Sequence, residues 1–203
     1  EADNGSLISD LTINFTTDNK AYAEQSNAVA VLNKSDVRLH NLTINMDTTG
    51  DTQYASSAAI FNQGANTNTK ITGKIKIDIK AVHDRTSSGR GYTHGILNYQ
   101  GGKLAIDAAV SVKTDGSESH GIYNQFGSDL VIGGNTKYDF ISNGEVSMGL
   151  YNYTNATTTI TDSALINIHT INQDSYGMAN YDNSKTQVRG NAQINITTEG
   201  KNS

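Results

Sequence analysis

The sequence predicts an all-β chain wound as a parallel β-helix, a β-solenoid of about seven coils, and three observations lead there. A six-residue signature returns at near-fixed intervals, the runs between its copies alternate with period two, and each copy closes on asparagine. The signature reads Ser57-Ala-Ala-Ile-Phe-Asn62, Thr93-His-Gly-Ile-Leu-Asn98, Ser119-His-Gly-Ile-Tyr-Asn124, Ser147-Met-Gly-Leu-Tyr-Asn152 and Ser175-Tyr-Gly-Met-Ala-Asn180, with a degenerate earlier copy, Ala28-Val-Ala-Val-Leu-Asn33. A repeat of this length marks a fold built by stacking.

Each element follows from this register. From Asn33 through Asn62, Asn98, Asn124 and Asn152 to Asn180 the steps are 29, 36, 26, 28 and 28 residues, and Asn4 lies 29 before Asn33. Seven asparagines therefore predict seven coils, mostly of 26 to 29 residues. The first two units match further, because Leu11-Thr-Ile-Asn-Phe15 returns as Leu42-Thr-Ile-Asn-Met46. Two residues before each asparagine stands Val31, Ile60, Ile96, Ile122, Leu150 or Met178. Eight or nine after it stands Leu42, Ile71, Ile106, Ile132, Ile160 or Val188. Alternating runs follow, such as Ile75 to Ile79, Leu165 to Ile168 and Gln193 to Ile196. Alternation rich in Ile, Val and Thr and broken by Gly, Asn, Asp and Ser reads as strands and turns. No stretch has the 3.6-residue stripe and caps of a helix. About three strands per unit suit one coil, and at about 4.8 Å per coil seven of them span roughly 34 Å.

The asparagine column has a physical role. A side-chain amide both donates and accepts, so identical asparagines stacked at a turn can bond to one another along the axis and satisfy buried backbone groups. Asparagine also tolerates the left-handed conformation that a turn demands. The small column of Ala30, Ala59, Gly95, Gly121, Gly149 and Gly177 points to a sharp corner or a close backbone approach.

Composition fits this architecture. The 203 residues are 35% hydrophobic, with 19 Gly and no Pro, Cys or Trp. A thin continuous core serves a solenoid where a round globule would want more. Lack of cysteine removes disulfide and thiol chemistry. No apolar run approaches the ~18 residues of a membrane span. Residues 1–203 read as one β-helix segment, with an inserted loop at 83–92 that accounts for the long step between Asn62 and Asn98. The next asparagine would fall beyond Ser203, so the chain is expected to be a piece of a longer solenoid.

These Gly-[Ile/Leu/Met]-x-Asn corners, the Asn/Thr/Gly-rich strands and the mildly acidic balance resemble the passenger domains of bacterial autotransporters, the type V secreted surface proteins. The resemblance covers essentially the whole chain; tailspikes and pectin-lyase-like proteins share such patterns. It implies a right-handed coil, a cleaved signal peptide and a parent protein anchored in the outer membrane. It further implies an adhesin or self-association factor on the bacterial cell surface.

Alternation places the residues flanking each asparagine on the outside. These columns are Leu32, Phe61, Leu97, Tyr123, Tyr151, Ala179 and Lys34, Gln63, Tyr99, Gln125, Tyr153, Tyr181. Tyr99, Tyr123, Tyr151, Tyr153 and Tyr181 are the candidate binding residues, since tyrosine offers flat apolar area, a polar tip and little entropy to lose. Rings that merely stack on one another and stiffen the rod would give the same columns. Arg85, Arg90 and Tyr92 in the inserted loop are a second candidate, because solenoid insertions project from one coil. A tolerated surface excursion is the alternative there.

Catalytic and cofactor chemistry find less support. His94 and His120 share a column, but it continues as Met148 and Tyr176, short of the three or four ligands that zinc needs. Asp78, Asp84, Asp107, Asp115, Asp129 and Asp139 show no converging pair for acid/base work on a polysaccharide. No cofactor is expected. The net charge of −5, with Lys and Arg not gathered into a stripe, argues against nucleic acid and anionic membrane. The expected partners are a host surface or matrix protein, a glycan, or another copy. A polysaccharide-cleaving enzyme or tailspike segment and a purely structural stalk are the rivals.

Overall fold

The computed structural model describes residues 5–17, 25–48, 56–81, 92–116 and 118–202. The strands follow one another as β1 (Ser6–Thr16), β2 (Gln25–Leu32), β3 (Asp36–Thr48), β4 (Ser56–Gln63), β5 (Asn68–Ala81), β6 (Tyr92–Tyr99) and β7 (Lys103–Asp115). Then come β8 (Ser119–Gln125), β9 (Asp129–Ile132), β10 (Lys137–Ser142), β11 (Met148–Tyr153), β12 (Thr157–Ile160) and β13 (Leu165–Thr170). The last are β14 (Tyr176–Tyr181), β15 (Lys185–Val188) and β16 (Gln193–Thr198). The described residues contain no helix.

The fold is the expected parallel β-solenoid. One sheet runs β1-β3-β5-β7-β10-β13-β16, with β9, β12 and β15 continuing from the first half of β7. The other runs β2-β4-β6-β8-β11-β14. Every pairing is parallel and joins equivalent positions of successive windings, as Leu11 to Phe15 lie on Leu42 to Met46. Six strands in the smaller sheet limit the described residues to six complete windings at most, slightly fewer than the seven expected.

Three strands per winding hold only from β8 onward. In earlier windings two of them merge into one long strand that turns a corner without breaking. Leu39 and Leu42 are both buried yet three residues apart, which an unbroken pleat forbids. The left-handed Asn41 (φ 51°) between them kinks β3, and the pairing with β5 shifts register there. In later windings Gly133 to Thr136 and Thr161 to Ala164 form turns at this corner, so the strand divides.

Inside, each position becomes a column. Leu39, Ile71, Ile106, Ile132 and Ile160 form one and Ile44, Ile77, Val112, Phe140 and Ile168 another, all buried. The glycine column faces this interior. Its backbone is not left-handed; the missing side chains instead admit those of the opposite sheet. A Cβ on Gly121 would stand 2.0 Å from the Tyr138 hydroxyl, and one on Gly149 2.6 Å from Ile168. Tyr138 is buried in the core and donates its hydroxyl to the Gly149 carbonyl at 2.9 Å. The expectation of close approach is right; the sharp corner lies elsewhere.

The asparagines form a bonded ladder. Asn62 Nδ2 donates to Asn98 Oδ1 at 2.7 Å, Asn98 to Asn124 at 2.9 Å, Asn124 to Asn152 at 3.1 Å and Asn152 to Asn180 at 2.9 Å. Thr69 and Thr158 hydroxyls donate to Asn62 and Asn152, and backbone carbonyls such as Asp129 and Thr157 accept the remaining amide protons. A group this buried would be costly without such partners.

Asn33 does not belong to the ladder. Val31 lies on Asn62 and Val29 on Ile60. The columns expected to include Val31, Ala30, Leu32, Lys34 and Leu42 therefore hold instead Val29, Ala28, Ala30, Leu32 and Leu39. Asn33 (φ 50°) and Lys34 (φ 66°) are the left-handed pair of the turn after the strand, matching Gln100 with Gly101 and Phe126 with Gly127. Asparagine stands at Asn33 for its backbone, and at the ladder for its amide. Asn4 lies outside the described residues.

Candidate binding face

On the outer side of the smaller sheet, register sets ring upon ring. Leu97, Tyr123, Tyr151 and Ala179 form one column, and Tyr153 lies between Gln125 and Tyr181 in the other. Tyr123 and Tyr151 stack with centroids 4.8 Å apart and planes 8° off parallel; Tyr153 and Tyr181 repeat this at 5.4 Å and 8°. The two columns touch, with Tyr123 and Tyr151 at 6.5 and 6.0 Å from Tyr153. Phe126, left-handed (φ 53°) and exposed, fills the gap left by Gln125 by meeting Tyr99 and Tyr153 edge-on at 5.3 and 5.9 Å.

The histidine pair joins this array. His94 and His120 lie 5.4 Å apart, His94 5.0 Å from Tyr123 and His120 5.9 Å from Tyr151. His120 Nδ1 accepts the Met148 amide at 3.3 Å, so that nitrogen carries no proton in this arrangement. Tyr92 stacks on His94 at 6.3 Å and 8°. The described residues contain no group of three or more His, Cys, Asp or Glu able to hold a metal ion.

Not all of this face is open. Phe61 and Leu97, expected to point into solvent, are 3% and 2% exposed and form with Ala58 a second apolar cluster, against which Tyr99 and Tyr123 pack. Alternation predicted the side of the sheet correctly but not its coverage. Tyr99, Tyr123, Tyr151 and Tyr153 are half-buried, and Tyr181, on the last strand of the sheet, is 62% exposed. Burial first, then the neighbouring phenols, raises the pKa of Tyr123 and of Tyr151. Both hydroxyls therefore stay protonated and able to donate through the physiological range.

The structure thus unites Tyr92, Tyr99, Tyr123, Tyr151, Tyr153 and Tyr181 into one surface. Tyr92 opens β6 rather than ending a loop, while Arg85 and Arg90 lie outside the described residues. Sequence reasoning missed Phe126 as a member, and His94 and His120 as buried rings beneath it; Phe126 stands two residues past its ladder asparagine, just outside the recurring signature. The acids lie apart: Asp78 pairs with Lys76 at 2.6 Å, Asp139 with Lys137 at 3.1 Å, and Asp107 accepts the Asn135 amide. Asp84 is outside the described residues. No protein-family model, curated protein or solved structure matches the chain.

Proposed function

We propose that the chain is a non-enzymatic binding segment of a secreted bacterial β-helix protein, an adhesin or self-association rod displayed at the cell surface. The observation that carries this reading is the continuous ring array from Tyr92 to Tyr181 on the outside of the smaller sheet. The solenoid is closed by its interior columns and its asparagine ladder, whereas the outer rings add a surface suited to contact. Tyrosine and its neighbours are the residues that dominate protein interfaces, and repetition along a rod adds avidity to weak contacts.

The array's geometry narrows the mode of contact. Tyr123 and Tyr151 cover one another's faces, so they offer ring edges and hydroxyl tips to a partner. Edges carry the positive part of the ring quadrupole and the hydroxyls donate, which favours an acceptor-rich partner. A host surface or matrix protein, or the hydroxyls and carbonyls of a glycan, fits that description. The test is an array of glycans and matrix proteins probed with the chain and with its Tyr99/Tyr151/Tyr153→Ala variant. A specific signal lost in the folded variant supports the reading; equal signals from both overturn it. Sedimentation of the same pair reports self-association through this face.

A further inference from the structure

Stacking also assembles a charged groove on the larger sheet, away from the rings. The leading halves of β3, β5 and β7, with β9 and β12, line a groove of about 640 Å³. Sites for small ligands span roughly 300–1,000 Å³. Register puts Arg38 directly on Lys70, and Lys103 on Asn68, diagonal to Lys70. With strands about 4.8 Å apart, the three cations form one patch. They arrive from separate windings of a chain whose net charge is −5. The basic residues form no stripe along the rod, but this local pairing was hidden by the misplaced Asn33 register.

Like charges directly opposite one another repel, and among the described residues neither Lys70 nor Lys103 forms an ion pair. Asp36, on the same rim, is engaged by the Asn68 amide at 2.6 Å, and Asp129 lies on Lys103 without reaching ion-pair distance. The Arg38–Lys70 column continues as Ala105, Val131 and Thr159, with Val131 42% exposed. Cations at one end thus grade into a small apolar and hydroxyl-bearing floor at the other.

We infer that this groove binds an acidic polysaccharide, with a carboxylate over Lys70 and Lys103, beside Arg38, and the sugar's C–H face against Ala105 and Val131. Guanidinium and ammonium groups donate charge-assisted bonds to a carboxylate. The floor repeats its residue positions winding by winding, so it suits an extended ligand with a short repeat. The groove lies on a different sheet from the ring array and stands independently of it.

The test is isothermal titration at low salt with a linear uronic-acid tetramer and a neutral tetramer of the same linkage. The uronate should bind, the neutral tetramer at least tenfold more weakly, and added salt should weaken the uronate alone. Lys70→Gln/Lys103→Gln should lose at least tenfold with an unchanged melting temperature, while Lys137→Gln, outside the groove, should not. Absence of uronate binding, equal binding of both tetramers, an unaffected double variant, or equal binding of an acidic peptide of matched charge would each overturn the assignment. Failure here leaves the tyrosine reading standing, because its variants lie on the other sheet.

Discussion

Asn124 and Tyr123 are neighbours in one strand, yet they belong to two different kinds of repeat. The asparagine column is fully buried from Asn62 to Asn152, and its amides are matched to ladder partners, threonines and backbone carbonyls. The ring column beside it is half open, with Tyr123 and Tyr151 half-buried and stacked face to face. Both recur at the same interval, so recurrence alone does not separate holding the rod together from binding to something else. Whether the column is closed on itself does.

The largest effect that would sharpen this contrast is inside. Gly121→Val should cost about 3 kcal/mol or more, since the new side chain collides with Tyr138 and with the Gly149 carbonyl, measured by denaturant unfolding. Next comes the ladder: Asn124→Ala leaves the Asn98 amide and Asn152 carbonyl short of a partner and should cost about 2 kcal/mol. Asn124→Asp should cost more, because it buries a carboxylate against the Asn152 carbonyl and abolishes the donors.

The phenols give a pH signature that bridges the two regions. Tyr138 and Tyr123 have raised pKa values through burial, so the folded state holds protons that the unfolded chain releases at about 10. Stability is therefore full below pH 10 and falls as pH rises beyond it. Unfolding free energy measured from pH 9 to 12 should drop, and Tyr123→Phe should flatten part of the slope. Outside, Tyr153→Ala should cost only about 1 kcal/mol, the value of its ring contacts.

The smallest expected change is the most specific to register. Val31→Asn places an amide on Asn62, where its Nδ2 can donate in the direction every rung of the ladder already follows. It should alter stability by less than about 1 kcal/mol, unlike an ordinary polar substitution at a site 3% exposed. Asn33→Ala should instead cost about 1 kcal/mol through its left-handed backbone.

These residues also show what was legible in the sequence. The fold, the ladder from Asn62 to Asn180 and the side on which the tyrosines lie follow from periodicity, because stacking ties each position to its equivalent. Asn33 misled because one residue type satisfies two demands, an amide in a ladder and a left-handed turn, and identity does not distinguish them. Coverage was also hidden: alternation sends Phe61 and Leu97 outward but says nothing of what packs on that side. The Arg38–Lys70 pairing was hidden by the same misplacement of Asn33, which sets β3 three residues out against β5, since Leu39 and not Leu42 lies on Ile71.

The most direct test of the account is a double comparison on one instrument: unfolding free energy and partner affinity for Asn124→Ala and for Tyr151→Ala/Tyr153→Ala, using whichever glycan or matrix protein the array selects. Asn124→Ala should lose about 2 kcal/mol of stability and keep its affinity while folded. The tyrosine variant should keep a cooperative transition and lose at least tenfold in affinity. A tyrosine variant that binds as tightly as the parent chain would contradict it, and would reduce the rings to a brace on the rod.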